Sequence, residues 1–358
     1  QRAAEYGARA LVIERDRLGG TCVNVGCVPK KVMWHAAELA QAFRDGQAYG
    51  FATTEPVHDW AALVDRREAY IGRLNGIYAR NLDKRNVDWL SGVARLTGTD
   101  QVEVGGETYT APHSIVATGG EPVVPDLPGA DLGITSDGFF ALKQRPDNVA
   151  VAGSGYIAVE LAGVLRGLGA NVQLFARYDS ILRAHDEMLQ QGAMRSLAEQ
   201  GVDVQLHSIP AALEQSGSTL SLTTESGQRF DGFDTVIWAV GRRPHTADIG
   251  LDVAGVETDA RGYITTDKFQ HSNIAGIYAI GDVSGRVELT PVAIVAGRRL
   301  SDRLFGGMDG RYLDYTNIPT VIFSHPPIGT VGLTEAQARA EHGDAVRVYH
   351  SGFASLYY

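Results

Sequence analysis

The two cysteines of this 358-residue chain, Cys22 and Cys27, stand five positions apart in the run Gly19-Gly-Thr-Cys-Val-Asn-Val-Gly-Cys-Val-Pro-Lys-Lys31. A bridge across so small a loop restricts the unfolded chain by only about 2 kcal/mol, so thiol–disulfide exchange is a better use for the pair than stabilisation. An incidental bridge or two buried free thiols remain the bland alternatives. A structural zinc site takes four ligands, and the sequence offers no second Cys or Cys/His cluster; none of the ten histidines pairs at metal spacing. No metal is therefore expected. Both thiols lie near a helix start followed by Lys30 and Lys31, conditions that lower a thiol's pKa.

A second constellation could hold a dinucleotide. Asn148-Val-Ala-Val-Ala-Gly-Ser-Gly-Tyr-Ile-Ala158 reads as strand, tight turn and helix start, with Gly153, Gly155 and Ala158 in the spacing G-x-G-x-x-A. Its helix is expected to run to Leu168 and end at Gly169, with the next strand at Asn171–Phe175. Beyond that strand no acid stands where a 2′-hydroxyl would be held; Arg177 and Arg183 stand there instead and suit a phosphate. Upstream, Ala10–Glu14 reads as the second strand of another such unit, with Glu14 placed for ribose hydroxyls. That unit's own glycine turn is expected about 20 residues earlier, ahead of Gln1.

Other elements must position these residues. Lys31–Phe43 and Trp60–Asp83 read as helices, and Ser114–Gly120 reads as a buried strand meeting a glycine turn. Ala275–Asp282 reads as an apolar strand closed by Gly-Asp, and Leu289-Thr-Pro291 opens a helix with proline at its start. Tyr315–Gly332 reads as strands beginning a further domain. Gln1–Tyr6 followed by Gly7 reads as the last turns of a helix, and Phe353–Tyr358 as a strand without a stop signal. The sequence is accordingly read as an internal piece of a longer chain, expected by itself to be inactive.

Composition bounds the class. The chain is 44% hydrophobic and long enough for two or three domains. A net charge of −10 argues against a nucleic-acid or anionic-membrane surface. No run approaches the length of a membrane span and no signal peptide opens the chain; two cysteines in so long a chain fit a reducing cytoplasm.

Taken together, these motifs resemble the flavin disulfide reductases, the pyridine nucleotide-disulfide oxidoreductases of class I. The resemblance extends over essentially the whole chain, through the cysteine run continued to Val-Met-Trp34, Gly155-Tyr-Ile-Ala-Val-Glu-Leu-Ala-Gly163, Leu289-Thr-Pro-Val-Ala293 and Phe323-Ser-His-Pro-Pro-Ile-Gly-Thr-Val-Gly332. It implies an α/β fold with two Rossmann-like dinucleotide-binding domains. FAD would take residues 1–140 and NADPH 141–258, with a central domain at 259–314 and the start of an α+β dimerisation domain at 315–358. It implies FAD, NADPH, glutathione disulfide and a homodimer. Electrons would pass from NADPH through FAD to the cysteines, Cys27 forming the charge-transfer thiolate and Cys22 attacking the substrate.

The same resemblance implies roles for further residues. Lys30 and Glu160 would pair beside the flavin. Glu14, Gly20, Thr21, Thr118, Gly119, Asp282 and Thr290 would serve FAD. Gly153, Gly155, Ala158, Arg177, Arg183 and Gly241 would serve NADPH, with Tyr156 as a lid over the nicotinamide pocket. Tyr78 would lie between the halves of glutathione disulfide and Arg298 would meet a carboxylate, favouring an anionic substrate over the cationic trypanothione type. Gln1 stands where some relatives carry a substrate-binding arginine. Another low-molecular-weight disulfide, or a non-catalytic nucleotide-binding remnant, is the alternative function. His325 is read as structural, because the family's catalytic histidine belongs to a His-Pro-Thr-x-x-Glu motif absent from this sequence.

Overall fold

The computed structural model describes residues 1–52 and 57–353, so most of the strand expected at Phe353–Tyr358 lies outside the described residues. The chain divides into two compact units. One comprises Gln1–Cys27, Ala69–Glu121 and Arg242–Tyr315, and the other Val28–Glu68, Pro122–Gly241 and Thr316 onward.

In the first unit, strand Leu11–Glu14 pairs in parallel with Asp88–Ser91, and Ser114–Val116 pairs in parallel with Ile277–Ala279. A three-stranded antiparallel meander (Ala94–Leu96, Gln101–Val104, Glu107–Thr110) adjoins them in sequence. Val116, Ile249, Leu251, Ile264, Ile277, Ala279 and Val283 form a common core; the buried strand expected over Ser114–Gly120 is shorter, Ser114–Val116, and only Val116 is buried, Ile115 facing outward. Helix Thr290–Phe305 starts with proline in its first turn, where the missing N–H costs nothing. It buries Val292, Ala296 and Leu300, a stripe at helical spacing. The short helix Arg2–Glu5 ends at Tyr6 and Gly7, whose φ of +84° is the left-handed closure the sequence indicates. It is fastened by Arg2 Nε and the Tyr6 hydroxyl, which donate to Asp302 Oδ1 at 2.6 and 2.9 Å.

In the second unit a five-stranded parallel sheet runs in the order Asp203–Gln205, Asn171–Phe175, Asn148–Ala152, Thr235–Trp238, Ile134–Thr135. Asn148–Ala152 leads through helix Tyr156–Gly167 to Asn171–Phe175, as the sequence predicts, and then through helix Glu187–Glu199 to Asp203–Gln205. The chain next crosses to the other side of the first strand, which makes the carboxyl end of Asn148–Ala152 the switch point where doubly wound sheets receive ligands. Helix Tyr156–Gly167 is buried from Ala158 through Leu165, so its apolar composition extends all round rather than along one stripe. A three-stranded antiparallel sheet, Pro210–Ser216 with Thr219–Thr224 and Arg229–Phe233, shares a core with the parallel sheet through Phe175, Leu213, Leu222, Phe233 and Trp238. The expected strands after Tyr315 are the antiparallel pair Thr320–Ile322 and Ile328–Thr330. Helix Glu335–His342 follows, closed at its start by a capping box of Thr334 and Gln337.

The cysteine helix, expected at Lys31–Phe43, differs from the sequence reading at both ends. The helix expected from Lys31 begins at Cys27 and runs to Asp45, because Pro29 falls within its first turn and so terminates nothing. The helix Trp60–Asp83 has the expected ends.

Candidate active site

Gly19, with φ of +112°, caps the six-residue helix Gly20–Val25 that carries Cys22; Gly26 breaks the helical path, and Cys27 opens the long helix. A Cβ on Gly19 would crowd the Val23 side chain, so the turn needs glycine on both conformational and steric grounds. Buried Asn24 binds this loop from within. Its Nδ2 donates to the carbonyls of Gly20 at 2.9 Å and Arg17 at 3.1 Å, while its Oδ1 accepts from Asn75 Nδ2 at 2.9 Å. Asn75 Nδ2 also donates to the Leu18 carbonyl at 2.7 Å. Sequence reasoning passed over both asparagines. The available signal was a polar residue midway between the cysteines.

Cys22 is half-buried and Cys27 exposed. A hydrogen bond to Cys27, together with burial, pushes the Cys22 thiol well above the usual range, against a smaller opposing effect of Thr290. The expectation that both thiols are lowered is therefore wrong for Cys22: its proton is shared with the neighbouring sulfur, which favours the protonated form. The Thr290 hydroxyl, first in its helix, lies 3.8 Å from Cys27 Sγ.

Around the end of strand Leu11–Glu14, Glu14 accepts the Asp16 N–H at 3.0 Å, and Thr118 donates to the His245 carbonyl at 2.7 Å. Gly20 and Gly119 both have positive φ with open space where a Cβ would stand, room that suits close backbone approach by a pyrophosphate or ribityl chain. Thr21 is exposed beside Gly20. Burial, reinforced by Glu288, raises the Asp282 carboxyl, as befits a group that awaits hydroxyl partners. These features fit the FAD expected from the sequence. A cluster that sequence reasoning missed adjoins them: His245 Nδ1 meets Glu121 Oε2 at 2.9 Å, His245 Nε2 meets Arg15 at 2.5 Å, and Arg243 donates to Glu121 Oε1 at 2.7 Å. Tyr78 and Arg298 are both exposed, on helices Trp60–Asp83 and Thr290–Phe305.

In the second unit Gly153 has φ of +142°, and a Cβ there would collide with the Ala239 carbonyl. Gly155, the N-cap of the fingerprint helix, leaves open space in front of it. Ala158 is fully buried and Tyr156 exposed at the helix start, while Gly241 has φ of +141° with nothing beyond its Cα. A helix start without a side-chain cap and with open space at its N-cap glycine can receive a phosphate, which fits NADPH. Arg183 lies over the Tyr178 ring at 3.9 Å and Arg177 at 5.5 Å, so one aromatic residue braces both expected phosphate ligands. Lys30 Nζ meets Glu160 Oε1 at 2.9 Å, with only 12% and 5% of the two side chains exposed. Burial raises the Glu160 carboxyl, and Lys30 and the Phe323 N–H oppose that rise. His325 stacks on Trp34 at 5.4 Å, and burial pushes its imidazole down. No group of residues suited to hold a metal ion occurs among the described residues.

Residues 1–297 match the family model for the pyridine nucleotide-disulphide oxidoreductases, and residues 318–358 match that family's dimerisation domain. The chain belongs to this family. It is 44% identical over 378 residues to a glutathione reductase of Yarrowia lipolytica and 42% identical over 370 residues to one of Schizosaccharomyces pombe, spanning all of this chain and 80% of each relative. Among solved structures it resembles the HOCl-induced flavoprotein disulfide reductase RclA from Escherichia coli, with 27% identity and a TM-score of 0.84 over 94% of this chain and 75% of that one. The Cu(II) complex of RclA gives a TM-score of 0.86 over 96% and 76%, again at 27% identity.

Proposed function

We propose that the protein reduces glutathione disulfide to glutathione with electrons from NADPH, using FAD and the Cys22–Cys27 pair, as a cytoplasmic homodimer. The observation that carries this reading is the hydrogen-bonded dithiol beside Thr290, in a chain whose relatives named glutathione reductase match it from end to end. No helix among the described residues is long and apolar enough to cross a membrane. Within the division proposed from the sequence (residues 1–140, 141–258, 259–314 and 315–358), FAD would rest on Glu14, Gly20, Thr21, Thr118, Gly119, Asp282 and Thr290. NADPH would rest on Gly153, Gly155, Ala158, Arg177, Arg183 and Gly241, with Tyr156 over its nicotinamide.

The chemistry FAD supplies when bound is the conversion of a hydride from NADPH into two electrons that a disulfide can accept. The protein's own residues then perform two exchanges. Cys22, losing its proton, attacks one sulfur of glutathione disulfide; a mixed disulfide forms and one glutathione thiolate leaves, to be protonated. Cys27 as thiolate attacks the Cys22 sulfur, releasing the second glutathione and closing the Cys22–Cys27 disulfide, ready for the next electron pair. The hydrogen bond to Cys27, with burial, keeps Cys22 protonated until substrate arrives. Thr290 lies within reach of Cys27, and Tyr78 and Arg298 would orient the anionic substrate.

Stopped-flow measurement of NADPH oxidation by the FAD-loaded complete protein, with glutathione disulfide as oxidant, tests the reading. Stoichiometric formation of two thiols per NADPH is expected. Oxidation of NADPH without thiol production, or a preference for a cationic disulfide, would overturn it.

A further inference from the structure

The Lys30–Glu160 pair has a third member, supplied from far along the chain. Phe323 lies 163 positions after Glu160, within two residues of strand Thr320–Ile322 and inside the stretch matching the dimerisation domain. It makes two separate contacts with the pair. Its backbone N–H donates to Glu160 Oε1 at 2.8 Å, the same oxygen that takes Lys30. Its ring lies 3.8 Å from Lys30 Nζ, with Lys31 at 5.2 Å. Trp34, one turn beyond Lys30, locks the segment: its indole donates to the Ser324 carbonyl at 3.0 Å in a buried bond, and its ring meets Phe323 edge-on at 5.3 Å.

We infer that Phe323 is a positioning residue for the proposed reaction, holding the Lys30 ammonium against Glu160 by its aromatic face and its backbone donor. The physical case is one of desolvation. An ammonium and a carboxylate this buried lose hydration that their mutual attraction repays only when the remaining donors and acceptors are met. An aromatic face over a desolvated lysine replaces part of that hydration, and the Phe323 N–H fills a second acceptor position on Glu160. Neither contribution comes from the cysteine helix or the fingerprint helix, so the surroundings of the ion pair are completed by the segment after Tyr315. The inference rests on the reading that Lys30 and Glu160 act in the reaction.

Phe323→Leu removes the ring and keeps the N–H; Phe323→Tyr keeps both. Glu160 is faced by Lys30 and the Phe323 N–H, with Lys31, His35, Glu38 and His325 the other titratable groups around Trp34 and Phe323. In the FAD-loaded complete protein, Phe323→Leu should lower kcat about fivefold to tenfold, in line with the loss of a partly desolvated cation–π contact, and leave KM for glutathione disulfide within about twofold. It should also move the acid limb of the kcat profile to higher pH, since a less firmly held Lys30 protects the Glu160 carboxylate less. Phe323→Tyr should match the parent. In a Lys30→Met background, Phe323→Leu should have no further effect. Should Phe323→Leu fail to fold, Phe323→Met, closer in volume, takes its place. If Lys30→Met moves the acid limb and the Phe323 variant does not, Phe323 is not a positioning residue, although the pair still acts. If neither moves it, the pair lies outside the reaction and the inference falls with it.

Discussion

The amide of Asn75 donates to Asn24 Oδ1 across 2.9 Å, joining the short helix Gly20–Val25, which carries Cys22, to the helix that carries Tyr78 three residues further on. Asn24 is buried and spends its own amide on the Gly20 and Arg17 carbonyls, while the Asn75 amide divides between Asn24 and the Leu18 carbonyl.

Asn24→Ala should therefore strand the Gly20 carbonyl and the Asn75 amide together. A cost of about 1–3 kcal/mol is expected for buried partners left unmet, and Asn75→Ala should cost less because it strands fewer groups. The double variant should lose less than the sum of the two, since each single change already breaks the shared bond. Denaturant unfolding of all four proteins measures this; strict additivity would show that the two side chains do not cooperate.

The cysteines should separate by role. Cys22→Ser is expected to block disulfide reduction while keeping the long-wavelength absorbance of a thiolate beside bound FAD, and Cys27→Ser to abolish that absorbance. Cys22 adds a second readout, because its thiol is raised chiefly by the hydrogen bond to Cys27. Cys27→Ala removes that bond, so the folded-state pKa of Cys22 should fall and its alkylation by iodoacetamide near pH 8 should quicken severalfold. Slower alkylation would reverse the direction of the hydrogen bond.

What the sequence disclosed and what it hid have separate physical origins. The unit Asn148–Phe175 was legible because strand, glycine turn, helix and strand are each set by residues close in sequence; the approach of Gly153 to the Ala239 carbonyl, far along the chain, was not. Trp60–Asp83 was legible for the same reason. The start of the cysteine helix was not, since Pro29 is as compatible with a first turn as with a boundary. Phe323 and Asn75 escaped because their partners lie 163 and 51 positions away, and spacing carries no information about such contacts. The rise at Cys22 escaped for a different reason: lysines and helix starts are visible in a sequence, while the direction of an S–H bond is not.

Cofactor choice should follow Arg177 and Arg183, both lying against the Tyr178 ring. Arg177→Met with Arg183→Leu should cut kcat/KM for NADPH by about one hundredfold, two charge-assisted phosphate contacts being lost, and change that for NADH much less. Tyr178→Ala should give a smaller fall of the same kind by releasing both guanidinium groups. An unchanged ratio of the two nucleotides in the double variant would remove both arginines from the site.

The His245 cluster should make stability depend on pH in a specific direction. Glu121 is held below the usual carboxylate value of 4.5; burial alone would raise it, but the hydrogen bonds from Arg243 and His245 outweigh that. A carboxyl whose folded pKa is depressed contributes stability above its unfolded pKa and loses it as pH falls through the folded one. Glu121→Gln should therefore destabilise at pH 7 and not at the acid end, the difference shrinking once pH passes below 4.5. The side chain is 29% exposed, so solvent screening limits the neutral-pH cost to about 0.5–1 kcal/mol. His245 relays the effect: its Nδ1 meets Glu121 and its Nε2 meets Arg15, which ties the residue after Glu14 to the pair. FAD affinity, followed by quenching of flavin fluorescence, should accordingly weaken modestly in His245→Ala. Thermal unfolding of Glu121→Gln beside the parent from pH 7 down to pH 4 decides the matter, and a gap that widens towards acid would contradict the depressed carboxyl.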